Sequence, residues 1–145
     1  MEKHGQDIRF LSCGVIRTGA KNDLAARLTK IYNDLFQVVD QFKPDSAALE
    51  EVFVSINPRT ALVLGHARAA AILAATKGGL SIHHYPTRVV KQSVAGYGQA
   101  DKAQVQHMVR VLLRLTSTPS QDASDALAIA LCHASHMRIL EAMGQ

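Results

Sequence analysis

The sequence predicts an α/β fold, in which helices pack against a sheet. Three short apolar segments, at residues 8–16, 46–50 and 80–85, have the length and the side chains of buried strands. Longer segments between and after them carry apolar residues three and four positions apart, which is the spacing of a helix with one buried face. Strands that alternate with helices predict an α/β sandwich. The 145 residues are enough for a core, so we expect a single domain over residues 1–145.

The first part of the chain predicts a strand, a helix and a second strand. Residues 1–7 are polar and are expected to fray, and the strand over residues 8–16 follows them. A polar turn that ends at Asp23 caps a helix over residues 24–42, whose repeating apolar positions are Leu24, Leu28, Ile31, Leu35 and Val38. The strand over residues 46–50 comes next and ends on Glu50.

The following helix is rich in alanine. We expect Asn57 to cap it, with Pro58 at its first position, and we expect it to reach about Thr76. Its alanines stand at positions 61, 67, 69, 70, 71, 74 and 75. Small side chains let a neighbour approach closely, so this helix either packs tightly inside the protein or meets a second copy of itself.

The last third of the chain predicts three helices. A short helix covers residues 87–94, and a longer one covers residues 102–115. The final helix has an apolar segment at residues 126–130, which we expect to be buried, and it is expected to fray from about His136 onward.

Two carboxylates open this final helix. Asp122 and Asp125 are three positions apart, which places them on one face of the first turn. Capping explains one Asp well, because negative charge near a helix start is favoured by about 0.3–1 kcal/mol. It explains less well a third acid, Glu50, at the end of a predicted strand. Three converging carboxylates would repel one another unless a cation neutralised them, so the acids predict a site for a hard divalent ion.

Charge, hydropathy and cysteine content narrow the function classes. The formal net charge of +4 favours a polyanionic partner without requiring one. Apolar runs fall well short of the roughly 18 residues of a membrane helix, so we expect no membrane partner. Cys13 and Cys132 lie far apart without a pairing pattern, and no signal peptide precedes the first predicted strand. These features predict a cytoplasmic protein.

Paired histidines form a weaker candidate site. His83 and His84 adjoin in a predicted strand, and His133 and His136 are one helical turn apart. Zinc sites need three or four protein ligands, and neither pair has a third ligand nearby in the sequence. A zinc role is therefore disfavoured.

Five segments of the sequence carry a family resemblance. They are Ala48–Phe53, Leu64–Arg68, Val90–Val94, Ala100–Val109 and Asp122–Ala130. In order and spacing they resemble the RuvC family of bacterial Holliday-junction resolvases, from about Phe10 to about Ser135.

The resemblance implies a ribonuclease-H-like fold, with a mixed sheet flanked by helices. It also implies an endonuclease of DNA recombination and repair that works as a homodimer and nicks two opposed strands of a four-way DNA junction. The implied cofactor is Mg²⁺, as two ions that Mn²⁺ can replace, and a further implied partner is the branch-migration machinery. Carried over by position, Glu50, Asp122 and Asp125 are implied to be catalytic metal ligands. Glu51 does not match, although strand alternation alone could not choose between Glu50 and Glu51.

The resemblance also implies DNA contacts. Lys91 falls where the family has a lysine near the scissile phosphate, which implies a catalytic as well as a DNA-binding role. Lys102 falls where the family has a lysine near the DNA backbone, and Phe53 where it has an aromatic that stacks at the opened junction centre. Without the resemblance, both lysines would be taken as ordinary surface charges and Phe53 as a core residue.

The resemblance is incomplete at the N-terminus. The family begins with a strand that ends in an Asp-Pro-Gly-type motif, whose Asp is a metal ligand, and this sequence shows no counterpart. Asp7 is no substitute, because it lies at the wrong end of the strand predicted over residues 8–16 and no glycine follows it. We therefore expect an N-terminally incomplete fold that binds magnesium more weakly.

Three functions follow from these observations. The first is a structure-selective endonuclease that resolves Holliday junctions. The second is a catalytically impaired junction-binding protein, because the first metal-ligand Asp is absent. The third is a structural dimer, formed through the alanine-rich helix, that does not act on DNA.

Overall fold

The structure is a computed structural model that describes the backbone of residues 1–5, 7–19, 21–51 and 57–143, and the side chains of these ranges up to Met137. The described elements, in chain order, are β1 (Glu2–His4), β2 (Asp7–Arg9), α1 (Leu24–Phe42), β3 (Ser46–Glu50), α2 (Pro58–Lys77), β4 (Ser81–Tyr85), α3 (Thr87–Ala95), α4 (Lys102–Leu112) and α5 (Gln121–Met143). None of the described helices is long and apolar enough to cross a membrane.

The N-terminus forms a hairpin, where the sequence predicted a frayed end. Strand β1 pairs antiparallel with β2, with His4 opposite Asp7. Gly5 has a φ of 58°, a left-handed conformation that glycine adopts without strain and that suits a tight turn. The predicted strand over residues 8–16 is also wrong beyond Arg9, since residues 10–19 have no regular secondary structure. Ile8 and Phe10 pack against buried residues of the core, which accounts for their apolar character.

The chain divides into two compact units. Unit 1 comprises residues 1–15, 48–50 and 84–145, and unit 2 comprises residues 16–47 and 51–83. The described strands form two two-stranded sheets, β1–β2 and β3–β4. A single domain over residues 1–145 stays a prediction.

Unit 1 has a continuous apolar core. Helix α5 packs against α3 and α4, and α3 against α4. A capping box starts α4, since Asp101 accepts from the Gln104 backbone while the Gln104 side chain accepts from the Asp101 backbone. The buried core residues are Tyr85, Val90, Val94, Ala100, Val105, Val109, Leu113, Leu127, Ala128, Leu131 and Cys132.

The two last helices differ in detail from their predicted forms. Helix α4 ends at Leu112 and not at residue 115, because Arg114 takes a left-handed φ of 52° that cannot continue a helix. Helix α5 continues to Met143, so the fraying expected from His136 is wrong for the backbone. Ala126 is exposed, while Leu127 and Ala128 are buried. An α-helix has 3.6 residues per turn, so the side chains of five consecutive residues cannot all point to one side.

Unit 2 is built on the packing of α1 against α2. Both helices begin where the sequence predicted, because Asp23 accepts from Ala26 N and Asn57 accepts from Arg59 N. Gly78 follows α2, and a Cβ atom at this position would overlap Val39 of α1. The close approach explains why the helix ends on a glycine. The alanine-rich helix packs inside with Ala70, Ala74 and Ala75.

Candidate functional site

Glu50 is the last residue of β3, in unit 1. Its side chain is half-buried, and its Oε1 atom accepts a hydrogen bond from the Thr87 hydroxyl. Thr87 is the first residue of α3. The end of the acid-bearing strand and the start of this helix are therefore joined through the carboxylate itself.

The start of α5 is capped by a serine and not by either aspartate. Ala123 N donates to Ser120 Oγ at 3.4 Å, and Ser124 N donates to Ser120 O at 2.8 Å. Asp122 is exposed in the first turn. Asp125 is half-buried and accepts from Gln121 Nε2 at 2.9 Å. Capping therefore does not account for the two acids, although the helix dipole still favours them.

The three acids share unit 1, but they do not form a preassembled metal centre. Within the described ranges there is no group of three or more His, Cys, Asp or Glu side chains that could hold a metal ion. The donor set itself fits a hard cation, since all three groups offer carboxylate oxygens. The convergence of Glu50, Asp122 and Asp125 around one ion thus stays a prediction.

The paired histidines make protein contacts. His133 Nδ1 lies 2.8 Å from the Tyr85 hydroxyl, a hydrogen bond that connects β4 to α5. His136 Nδ1 lies 2.9 Å from the Cys132 carbonyl oxygen, and its ring lies against that of Tyr85, with centroids 5.0 Å apart. These histidines therefore take part in core packing between β4 and α5.

Burial perturbs two titratable groups beside these histidines. Burial raises the pKa of the Tyr85 hydroxyl, and the charge of a Cys132 thiolate raises it further. Burial also raises the pKa of the Cys132 thiol, against a smaller lowering effect of its hydrogen bond with Ser93. Both groups hold their protons at neutral pH and so act as packing and hydrogen-bonding groups.

The candidate DNA-binding residues are placed in part. Lys91 is half-buried on α3, four positions after Thr87, so it lies on the same face of that helix as the residue that contacts Glu50. Lys102 is exposed at the first position of α4. Both belong to unit 1. Phe53 lies outside the described residues.

Sequence reasoning missed three residues that contact or flank the acids. Ser120 could have been found, because serine just before a helical segment is a typical N-cap. Gln121 could also have been found, since residues four apart on a helix are neighbours. Nothing in the sequence pointed to a contact between Thr87 and Glu50, because the two residues are 37 positions apart.

Comparison with solved structures gives the fold class of this chain. Two structures of Thermus thermophilus RuvC, each 35% identical in sequence, cover 90% of this chain and 80% of their own. The TM-scores are 0.81 for the first and 0.84 for the second, which is in complex with a Holliday junction substrate. The fold class is therefore α/β of the ribonuclease-H-like type, as predicted.

Sequence comparison then gives the family. The family described as "Crossover junction endodeoxyribonuclease RuvC" matches residues 1–133. The RuvC protein of Photobacterium profundum is 48% identical over 139 residues, which are 96% of this chain and 80% of the relative. That of Marinobacter nauticus is 49% identical over 137 residues, or 94% of this chain and 77% of the relative. The chain belongs to the RuvC family, which confirms the resemblance.

Proposed function

We propose that this chain is a crossover junction endodeoxyribonuclease, which resolves four-way DNA junctions by paired nicking of opposed strands in recombination and repair. The observation that carries the proposal is family membership over nearly the whole chain, and the three acids Glu50, Asp122 and Asp125 share one compact unit. A relative with the same fold has been solved with a Holliday junction substrate.

The proposed cofactor is Mg²⁺, with Mn²⁺ as a possible replacement. Glu50, Asp122 and Asp125 would hold it, since carboxylate oxygens are the ligands that hard divalent ions prefer. When two such ions are bound, they supply a hydroxide nucleophile and stabilise the leaving 3′-oxygen. The carboxylates act as ligands and not as nucleophiles.

The proposed DNA contacts use Lys91, Lys102 and Phe53. Lys91 shares a face of α3 with Thr87, which contacts Glu50, and would stabilise negative charge on the attacked phosphate. Lys102 is exposed at the start of α4 and would bind the phosphate backbone. Phe53 would stack on a base at the opened junction centre. The formal charge of +4 favours this partner.

We also propose a homodimer formed through α2. One side of α2 packs with α1, but Leu62 and Leu73 are each 61% exposed. With Gly65 and Ala69, both exposed, they follow a spacing of three and four positions and form one apolar stripe. A second copy would bury this stripe, and its small residues would allow close helix packing. The family further implies the branch-migration machinery as a partner and the cytoplasm as the compartment.

A nicking assay on a four-way junction tests this function. The wild-type chain should nick the junction with Mg²⁺, and Glu50→Gln or Asp122→Asn should reduce nicking by more than about 100-fold, because loss of even an outer partner of a ligand costs about 10–100-fold. Binding, measured by gel shift, should remain nearly intact. Asp40→Asn is the matched control, since Asp40 is an exposed acid of unit 2 paired with Lys43.

One observation favours the second candidate, a junction-binding protein with impaired catalysis. The described acids form no preassembled metal group, whereas Lys91 is half-buried and Lys102 is exposed, so both can reach a phosphate backbone. Junction binding that weakens steeply with salt, but without nicks, would support this candidate and reject nuclease activity. Absence of any salt-dependent DNA affinity would reject both and leave the structural dimer. Persistent nicking by both Glu50→Gln and Asp122→Asn would contradict the ligand assignment.

A further inference from the structure

Thr87 makes a contact that its place in a helix does not require. Thr87 begins α3 directly after Pro86, and no side chain caps this helix. Its hydroxyl could bond to the free backbone groups of the first turn, as threonine often does. It donates instead to Glu50 Oε1.

The turn that carries Thr87 is held in place by its surroundings. Two residues before it, Tyr85 is buried at the end of β4 and bonds to His133 of α5. The first turn of α3 is closed by Val90 N, which donates to Pro86 O at 3.1 Å. Val90 and Val94 fix the helix in the core with 6% and 4% exposure. Because Thr87 stands on this anchored turn, the direction from which it meets the carboxylate is set by the fold.

We propose that Thr87 is a positioning residue for Glu50, which orients the carboxylate of this acid towards the divalent ion. This inference rests on the proposed function, since it gives Glu50 the role of a metal ligand. A carboxylate has two oxygens and about four lone-pair sites, so a bond to Oε1 leaves capacity for a cation. Groups that bond to a ligand fix its orientation and reduce the reorganisation needed on binding.

Two substitutions at Thr87 distinguish a role in orienting Glu50 from a role in local packing. Thr87 is exposed, so replacing its hydroxyl by a methyl group in Thr87→Val changes little buried volume. Thr87→Ser removes the methyl group and keeps the donor. If Thr87 orients Glu50, Thr87→Val should weaken metal binding and Thr87→Ser should retain it. If Thr87 acts through local packing or β-branching, Thr87→Ser should weaken metal binding and Thr87→Val should retain it.

The test measures metal binding directly, apart from activity. Mn²⁺ binding to the full chain is followed by electron paramagnetic resonance, for the wild type, Thr87→Val, Thr87→Ser and Glu50→Gln. We expect Thr87→Val to weaken binding by about 10–100-fold and Thr87→Ser to restore it to within about threefold of the wild type. The Mg²⁺ concentration for half-maximal nicking should move in parallel, while metal-free junction binding and the melting temperature stay unchanged. Thr76→Val is the control, since Thr76 is an exposed threonine whose hydroxyl donates to the Ile72 carbonyl in unit 2.

The outcomes distinguish failure of this inference from failure of the proposed function. If Glu50→Gln weakens Mn²⁺ binding but Thr87→Val does not, Thr87 has no positioning role and the metal site stands. If Thr87→Ser weakens Mn²⁺ binding as much as Thr87→Val does, or more, the hydroxyl does not account for the effect and the inference is wrong. If Glu50→Gln leaves both Mn²⁺ binding and nicking unchanged, Glu50 is not a ligand, and the metal assignment and the inference fail together.

Discussion

The two units of the chain differ in how they are held together. In unit 1, large side chains from β4, α3, α4 and α5 form one continuous buried core. In unit 2, α1 has no buried residue and α2 buries only alanines. The Nδ1 atom of His66 on α2 is also buried without a hydrogen-bond partner among the described residues. Alanine buries little apolar surface, so each of these contacts stabilises the fold less than a buried leucine does.

This difference matches the placement of the candidate site. Glu50, Lys91, Lys102 and both aspartates belong to unit 1. Ligands and phosphate-binding groups act best from rigid elements, because small displacements cost much of their effect. Both units have exposed apolar side chains, but the two most exposed large ones among the described residues, Leu62 and Leu73, belong to unit 2. We infer that unit 1 carries the chemistry and that unit 2 offers the surface for a second copy.

The largest expected effect is on the free energy of unfolding, and it tests the difference in packing between unit 1 and unit 2. Leu127→Ala removes a leucine that is 4% exposed in the core of unit 1 and should lower the free energy of unfolding by about 2–5 kcal/mol. Leu64→Ala, in α2 of unit 2, removes a leucine that is 46% exposed. It should change the free energy of unfolding by no more than about 0.5 kcal/mol. Urea unfolding of both variants, at one protein concentration, measures the difference. Equal losses would show that the two units do not differ in packing.

The helices of unit 2 were predicted well because their signals are local. Asp23 and Asn57 are caps that act within three residues, and α1 has the bounds given by its apolar repeat. The N-terminal hairpin was missed because its three-residue strands are too short to show any periodicity. Its pairing depends on a turn at Gly5, and a single glycine is a weak signal.

The site could be predicted only as far as its residue types. The pattern of acids, together with the family resemblance, predicted Glu50, Asp122 and Asp125 as metal ligands, and this assignment stays a prediction. The direction of each side chain depends on its neighbours in space, and these come from distant parts of the chain. Thr87 illustrates this, since it contacts Glu50 across 37 positions. The absence of a preassembled metal group among the described side chains could not have been foreseen from spacing alone.

A smaller effect tests the proposed role of unit 2. Leu73→Glu places a charge in the apolar stripe of α2, where dimerisation would have to desolvate it. We expect the dimer dissociation constant to rise at least tenfold, or by about 1.4 kcal/mol. Analytical ultracentrifugation over a range of concentrations measures this change. Val111→Glu is the matched control, since Val111 is 50% exposed in unit 1, and it should leave the dimer intact.

An intact dimer with Leu73→Glu would remove α2 from the interface. Loss of the dimer with Val111→Glu, but not with Leu73→Glu, would move the proposed interface to unit 1. In either case the division of roles between the units would need revision.

The smallest effect concerns titration inside the core of unit 1. Burial raises the pKa of Cys132 above its ordinary value of 9.0 and that of Tyr85 above 10.0. The folded chain therefore keeps these two protons at a pH where the unfolded chain has released them. Unfolding then releases protons, so the free energy of unfolding is unaffected below about pH 9 and falls as the pH rises beyond it.

Urea unfolding between pH 7 and pH 11 measures this decline. Cys132→Ala and Tyr85→Phe should each be less stable at pH 7, the first through a small cavity and the second through the lost bond to His133, and each should show a shallower decline above pH 9. Cys13→Ala should keep the full decline, because Cys13 is exposed. An equally steep decline in all three variants would place its origin outside the core of unit 1, since the thiol and the phenol would then titrate alike in the folded and unfolded chains.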